Sequence, residues 1–246
     1  MPKRLGLAWL WLALCVALPA SARAAADEAC GQIIVVSFSG AFGAGSAVKR
    51  TKQEARARAE TLLHEAEHGD FAALAKADSD APSSAPRGGV MGTYAKSEWP
   101  ELHAALKQPL FQLAEGKLAA KPIEAPYGYV ILRRCKVEKA HARHLLIRYA
   151  GAKNAKPEVT RTRDEAQQLA QRVLAGVHSA AQFAEAISKF SEDGSRERGG
   201  DIGSVGRGRL ALAFENALFA LKVGERSGVV ESEFGFHIIE RMPDAP

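Results

Sequence analysis

Cysteine, net charge and long apolar runs are all scarce in this chain of 246 residues. The formal charge is +5, and three of the cations (Lys3, Arg4 and Arg23) sit in an apolar leader, so the remainder carries +2. A surface so near balance lacks the basic footprint that a phosphate backbone demands, which excludes nucleic acid as an expected partner. The longest apolar run covers residues 5–18, about 14 residues, where a membrane span needs ~20. Lys3 and Arg4 precede it, and PASARAAADE follows it with small residues at A-x-A spacing (Ala20/Ala22 or Ala22/Ala24). That is the pattern of a secretory signal peptide over residues 1–24, removed on export to the periplasm and leaving no membrane span. Cys15 is a poor lipoprotein acceptor, because the apolar run continues past it. Only Cys30 and Cys135 then remain, and an even pair in an exported chain points to a disulfide. Closing so long a loop stabilises by up to ~4–5 kcal/mol in the chain-entropy model.

What the chain does contain is a repeat. IIVVSFSGAFGAGSAVKRTKQEA (33–55) lies over HLLIRYAGAKNAKPEVTRTRDEA (144–166) at an offset of 111 without a gap, pairing Gly40 with Gly151, Val48 with Val159 and Thr51 with Thr162. RGGVMG (87–92) returns as RGGDIG (198–203), PLFQLAEGK (109–117) as ALFALKVGE (217–225), and YGYVILR (127–133) as FGFHIIE (234–240). The preserved order marks a duplication, with one domain over residues 30–138 and a second over 139–246. The junction is too short for a flexible tether, so the two are expected side by side. The apolar content of 47% supplies a core for both.

The second copy reads element by element. ARHLLIRY is a strand candidate, and a basic loop with Lys153, Asn154 and Lys156 follows. Thr162 and Glu165 form a capping box that opens a helix with Ala166, Leu169, Ala170, Val173 and Leu174 at helical spacing. Gly176 is its expected stop. Ser179 opens another helix, with Phe183, Ala186, Ile187 and Phe190 on one face. A short strand over 201–205, a helix around 212–221 stopped by Gly224, and strands near 227–231 and 235–241 complete the unit. This order predicts an α+β fold with a small antiparallel sheet.

ARHLLIR, RGGDIG, AFENALFALKVGE and FGFHIIER occur in this order over about residues 139–242. With these phrases the second copy resembles the parvulin family of peptidyl-prolyl cis–trans isomerases. The resemblance implies two parvulin-like domains of the FKBP-like superfold, each a four-stranded antiparallel sheet wrapped by helices. It implies that the first and last strands lie side by side in the middle, bringing His144 and His237 together. It implies Asp193 near the substrate carbonyl, Phe214 as floor of a proline pocket, Leu210 where methionine is usual, Phe234 at the pocket edge, and Ser232 as a hydroxyl on the histidine pair. Ala213 replaces a usual proline. Arg148 matches a basic position that faces the residue before proline. The adjacent basic pair of phosphate-directed members is missing, and the loop's scattered lysines suit a mild preference for acidic residues. The implied partners are unfolded or extended proline-containing polypeptides.

The chemistry is consistent with that set. Turning an X-Pro bond meets a barrier of ~18–20 kcal/mol because amide resonance is lost. No bond breaks, so no nucleophile, metal or cofactor is required. The catalyst needs an apolar pocket for the ring and polar groups matched to the twisted amide. Two hydrogen-bonded neutral imidazoles suit this, since each fixes the other's tautomer and no net charge is buried.

The first copy keeps the frame and loses these groups. Ile33 stands for His144, Val130 for His237 and Val90 for Asp201, and no carboxylate falls near Ala81 and Pro82 at the place of Asp193. It is expected to be folded but inactive. His64-Glu-Ala-Glu-His68 satisfies the HExxH pattern of zinc proteases. It falls at a helix end before Gly69, where histidines suit the helix dipole, and no metal is expected. The reading is an exported isomerase that assists folding of exported proteins; the alternative is a non-catalytic holdase chaperone or binding module built from the same folds. Titration of the unfolded, unreduced exported chain is expected to find no free thiol, and two reactive thiols would remove the disulfide.

Overall fold

The repeat in sequence is a repeat in space. The computed structural model describes residues 27–244, and the leader over 1–24 lies outside the described residues. In the first half, β1 (Glu28–Val36), β2 (Val90–Ala95), β3 (Ile123–Ala125) and β4 (Gly128–Cys135) form an antiparallel sheet in the order β2-β1-β4-β3. Helices α1 (Lys52–His68), α2 (Phe71–Asp78) and α3 (Ala104–Gln112) pack on it. In the second half, β5 (Lys139–Ile147), β6 (Asp201–Gly206), β7 (Val230–Ser232) and β8 (Gly235–Met242) repeat the order as β6-β5-β8-β7. Its helices are α4 (Arg163–Ala175), α5 (Ala180–Phe190) and α6 (Leu212–Ala220). Each half is a parvulin-like α+β domain, as expected. No helix among the described residues is long and apolar enough to cross a membrane.

Strand alternation decides what each face of the second sheet does. Leu145, Ile147, Phe236 and Ile238 point to one side, where they join Ala166, Ala170, Val173, Phe183 and Ile187 of α4 and α5. Ala140, Ala142 and Ile239 point to the other and pack with Phe214 and Leu218 of α6. His144 and His237 share the parity of this second face. Both first-turn capping boxes form, at Thr51–Glu54 and Thr162–Glu165. Three expectations need correction. Helix α6 ends at Ala220, where Leu221 turns extended; Gly224 (φ +84) serves the next turn and donates to the Arg241 carbonyl. Strand β7 is only three residues, because Ser227 spends its hydroxyl and backbone on Ile239 and Gly228. Strand β5 starts at Lys139, earlier than ARHLLIRY, because Lys139 to Ala142 already pair with β6.

Two glycines of the second copy fix the place of the histidines, and both have counterparts in the first. Gly200 (φ +79) packs on β5 so closely that a Cβ would overlap the His144 carbonyl oxygen, and its own carbonyl accepts the His144 N–H at 3.0 Å. Gly89 does the same to Ile33. Gly235 (φ +133) lies on the Ile147 carbonyl, and Gly128 (φ +145) on that of Val36. The second glycine of RGG and the glycine between two aromatics are therefore close-approach points for the central strand pair. Cys30 and Cys135 face each other at the far end of the β1–β4 ladder and are bonded, with Cα atoms 5.0 Å apart.

Gly200→Ala is expected to destabilise the second domain by about 2 kcal/mol or more, combining clash with backbone strain. Gly151→Ala, at φ +88 but in open space, is expected to cost only about 1 kcal/mol. Urea midpoints of the two variants check the difference.

Candidate active site

The middle strands of the second sheet set the site. In the β5–β8 register Leu146 pairs with His237 and His144 with Ile239, so the two imidazoles are diagonal neighbours on one face. Their rings stack with centroids 5.5 Å apart, and the Nδ1 atoms are 3.3 Å apart. Both are buried, at 5% and 4% exposure. Phe214 of α6 stands edge-on to both rings, at 5.3 and 5.1 Å.

The hydrogen bonds define one direction. His144 Nε2 lies 3.1 Å from Asp193 Oδ1, and Asp193 also accepts from the Ser195 backbone N–H (2.8 Å) and hydroxyl (2.5 Å). A carboxylate can only accept, so Nε2 of His144 carries a proton, and in the neutral tautomer its Nδ1 is an acceptor. His237 Nδ1 then donates to His144, and His237 Nε2 accepts from the Ser232 hydroxyl at 2.7 Å. Ser232 in turn accepts from the Phe234 N–H at 3.1 Å. The chain runs from Phe234 through Ser232, His237 and His144 to Asp193. Burial, and then the neighbouring His144, push the His237 pKa down to about 3. The hydrogen bond from His144, with those from Ser195, holds the Asp193 carboxyl well below its ordinary range against the effect of burial.

A cleft of about 330 Å³ opens over this chain. His144, His237, Asp193, Leu210, Phe214, Phe234 and Arg148, all picked out in the sequence, line it together with Leu146, Asn154, Ile202, Val205 and Ala211. Ser232 stands behind His237, bonded to it and to the Phe234 N–H, and does not line the cleft. Arg148 reaches the rim, but its guanidinium is already bonded to the carbonyls of Lys153 (2.7 Å) and Glu192 (3.3 Å). The adjoining cleft, about 550 Å³, balances Arg148, Lys156, Arg161 and Arg196 against Glu158, Glu192, Asp193 and Glu197. Sequence reasoning missed Ser195, although its place two residues after Asp193 is the spacing of a side chain that caps its own loop. It also missed His141, whose Nε2 lies 2.9 Å from Asp201; that hydrogen bond raises the His141 pKa.

The first domain presents a cleft at the same place, about 320 Å³, in which Ile33 and Val35 stand where His144 and Leu146 do. It is not purely apolar. His103 Nδ1 and the Tyr127 hydroxyl are 2.7 Å apart, and burial pushes the first pKa down and the second up. His64, Glu67 and His68 cluster on the last exposed turn of α1, with His64 Nδ1 3.3 Å from the Glu67 carboxylate.

Comparison with known proteins matches the PPIC-type PPIASE domain twice, over residues 34–136 and 130–242. The chain belongs to the PPIC-type PPIase (parvulin) family. A chaperone SurA of Methylobacillus flagellatus is 35% identical over 198 residues, which are 76% of this chain and 42% of that protein. A chaperone SurA of Ralstonia nicotianae is 32% identical over 204 residues, 77% of this chain and 38% of its own. The chain thus spans about two fifths of the length of these relatives. The solved peptidyl-prolyl isomerase ESS1 from Candida albicans aligns with 43% of this chain and 63% of its own at 32% identity, with a TM-score of 0.41. Both copies carry the family frame, and the histidine chain belongs to the second.

The neutral His237 gives acid stability a sign. Its folded pKa lies below the ordinary 6.5, so the unfolded chain binds the extra proton. Its contribution is whole above pH 6.5 and is lost as pH falls towards 3. Asp193 adds a loss of the same sign below its ordinary 3.8. The double variant His144→Ile/His237→Val, which copies the first domain, is expected to keep neutral-pH stability within about 1 kcal/mol of the parent or above it. Its urea midpoint is expected to fall less between pH 6.5 and 4 than that of the parent; an unchanged slope would place the acid sensitivity elsewhere.

Proposed function

We propose that the second domain is a peptidyl-prolyl cis–trans isomerase acting on extended polypeptides, and that the chain assists folding of exported proteins in the periplasm. The observation that carries this reading is the buried, hydrogen-bonded imidazole pair backed by Phe214 and opening on a cleft with Ile202, Val205 and Leu210 in its wall. A proline ring fits against Phe214 and Leu210, shielded from water, where a planar amide loses the solvation that favours it. His144 and His237 lie under the turning bond. Asp193 stands on the carbonyl side of the cleft, and Phe234 at its edge. In this reading His144, His237 and Asp193 are catalytic, while Leu210, Phe214, Phe234 and Arg148 bind substrate. Ser232 acts by fixing the His237 tautomer. Because the neighbouring cleft is charge-balanced and Arg148 is already engaged, selection for an acidic residue before proline is mild. No cofactor takes part.

A second reading, a holdase chaperone, is favoured by the first domain. Its cleft is walled by Ile33, Val35 and Val48, and Phe42 stands 66% exposed at the rim. Relatives named as chaperones agree with a chain-gripping role beside catalysis.

The test is protease-coupled isomerisation of short X-Pro peptides, with Glu, Leu or Lys before proline, by the chain without its leader. His144→Ala/His237→Ala is expected to lose activity by at least an order of magnitude with an unchanged far-UV spectrum. A folded parent with no activity on any peptide, yet able to suppress aggregation, would leave the holdase reading standing alone.

A further inference from the structure

The two domains meet at one residue of particular consequence for the cleft. Arg87 ends the short turn Ala85–Arg87 of the first domain, and its Nε is anchored on the Ser83 carbonyl at 3.2 Å. The guanidinium then crosses to the second domain. Nη2 donates to the Leu210 carbonyl at 2.6 Å, and Nη1 lies 3.2 Å from Glu215 Oε1. The Arg87 and Glu215 side chains are only 16% and 4% exposed. The second Glu215 oxygen accepts the Gly208 N–H at 2.6 Å. Glu215 is thus held between a cation of one domain and the loop of the other that carries Leu210.

The surroundings tie the same loop down. Thr93 donates its N–H to the Arg207 carbonyl at 3.2 Å, Arg209 lies over the Tyr94 ring at 4.7 Å, and Gly208 is packed so closely on Gly92 that a Cβ would strike its backbone. A buried carboxylate is costly without its cation, so Arg87 and Glu215 hold each other in place. The repeat does not use the device twice. Arg198, the counterpart of Arg87, is exposed and reaches only the Asp201 carbonyl at 3.3 Å, and Lys107 occupies the counterpart of Glu215.

We propose that Arg87 is a positioning residue through which the first domain sets the proline pocket of the second, by fixing the Leu210 carbonyl and the Glu215 carboxylate beside Phe214. The inference rests on reading that cleft as the proline site. It assigns the inactive copy a role in substrate affinity: with Arg87 in place Leu210 stands against Phe214, and without it that wall is free to move.

The test compares Arg87→Gln and Arg87→Lys with the parent in the full exported chain. Gly208 amide exchange and KM against kcat for an X-Pro peptide are read together. In Arg87→Gln, Gly208 is expected to exchange roughly tenfold faster, as for loss of a charged hydrogen bond. Ile238 in β8 is expected to be unchanged, and KM to rise several-fold at nearly constant kcat. Arg87→Lys is expected to fall between. Wild-type Gly208 exchange and KM in Arg87→Gln would overturn the proposal. So would equal acceleration at Gly208 and Ile238, which would mean general destabilisation. A parent without isomerase activity would sink the catalytic reading alone; Gly208 exchange and Leu210 methyl shifts on adding a proline peptide would still decide the role of Arg87.

Discussion

Two buried imidazoles can share a hydrogen only if the strands that carry them are locked in a single register. A slip by one residue on either β5 or β8 would turn a histidine to the opposite face, among Leu145, Phe236 and Ile238. The rest of the second domain is arranged around that lock. Gly200 before β6 and Gly235 at the start of β8 press on β5 at both ends of the His144–Ile147 segment, Phe214 closes the rings from α6, and Asp193 and Ser232 complete the hydrogen bonding at the two ends of the pair. With the register fixed, each group is in reach of its partner.

The first domain shows that the lock does not need the histidines. Its β1–β4 ladder has the same register, with Val35 opposite Val130 and Ile33 opposite Leu132, and the same two glycines press on β1. Aliphatic side chains fill the space that the imidazoles occupy, and no buried polar pair has to be satisfied there. A polar pair does exist nearby, His103 with Tyr127, but at the start of α3 and in the β3–β4 turn instead of the central strands. Frame and chemistry are thus separable, and the duplication separates them within one chain.

Much of this was legible in the sequence because it is local or repeated. Thr51–Glu54 and Thr162–Glu165 announce helix starts by short-range hydrogen bonds, and the strand phrases announce themselves by density of apolar residues. The histidine pair and Asp193 came from a resemblance spread over the whole second copy, since nothing local joins residues 93 positions apart. The end of α6 was misplaced because an extended Leu221 stopped the helix before Gly224, and a glycine serving a turn looks the same in sequence as one that caps a helix. Ser195 and the Arg87–Glu215 bridge were missed for a different reason. The first is a loop capping itself. The second depends on how two domains lie together, which no periodicity encodes.

The Cys30–Cys135 bond has a mechanical consequence. It joins the start of β1 to the end of β4, residues 105 apart in the chain, immediately before the chain enters β5. The first domain is therefore a covalently closed lasso hung beside the main line of the polypeptide. Tension applied between the front of the chain and the second domain passes through the sulfur bridge and leaves the lasso unloaded. A machine that pulls this protein from its front end can peel only Glu28 and Ala29 from the first sheet until the bridge is reduced, and the load then falls on the second domain.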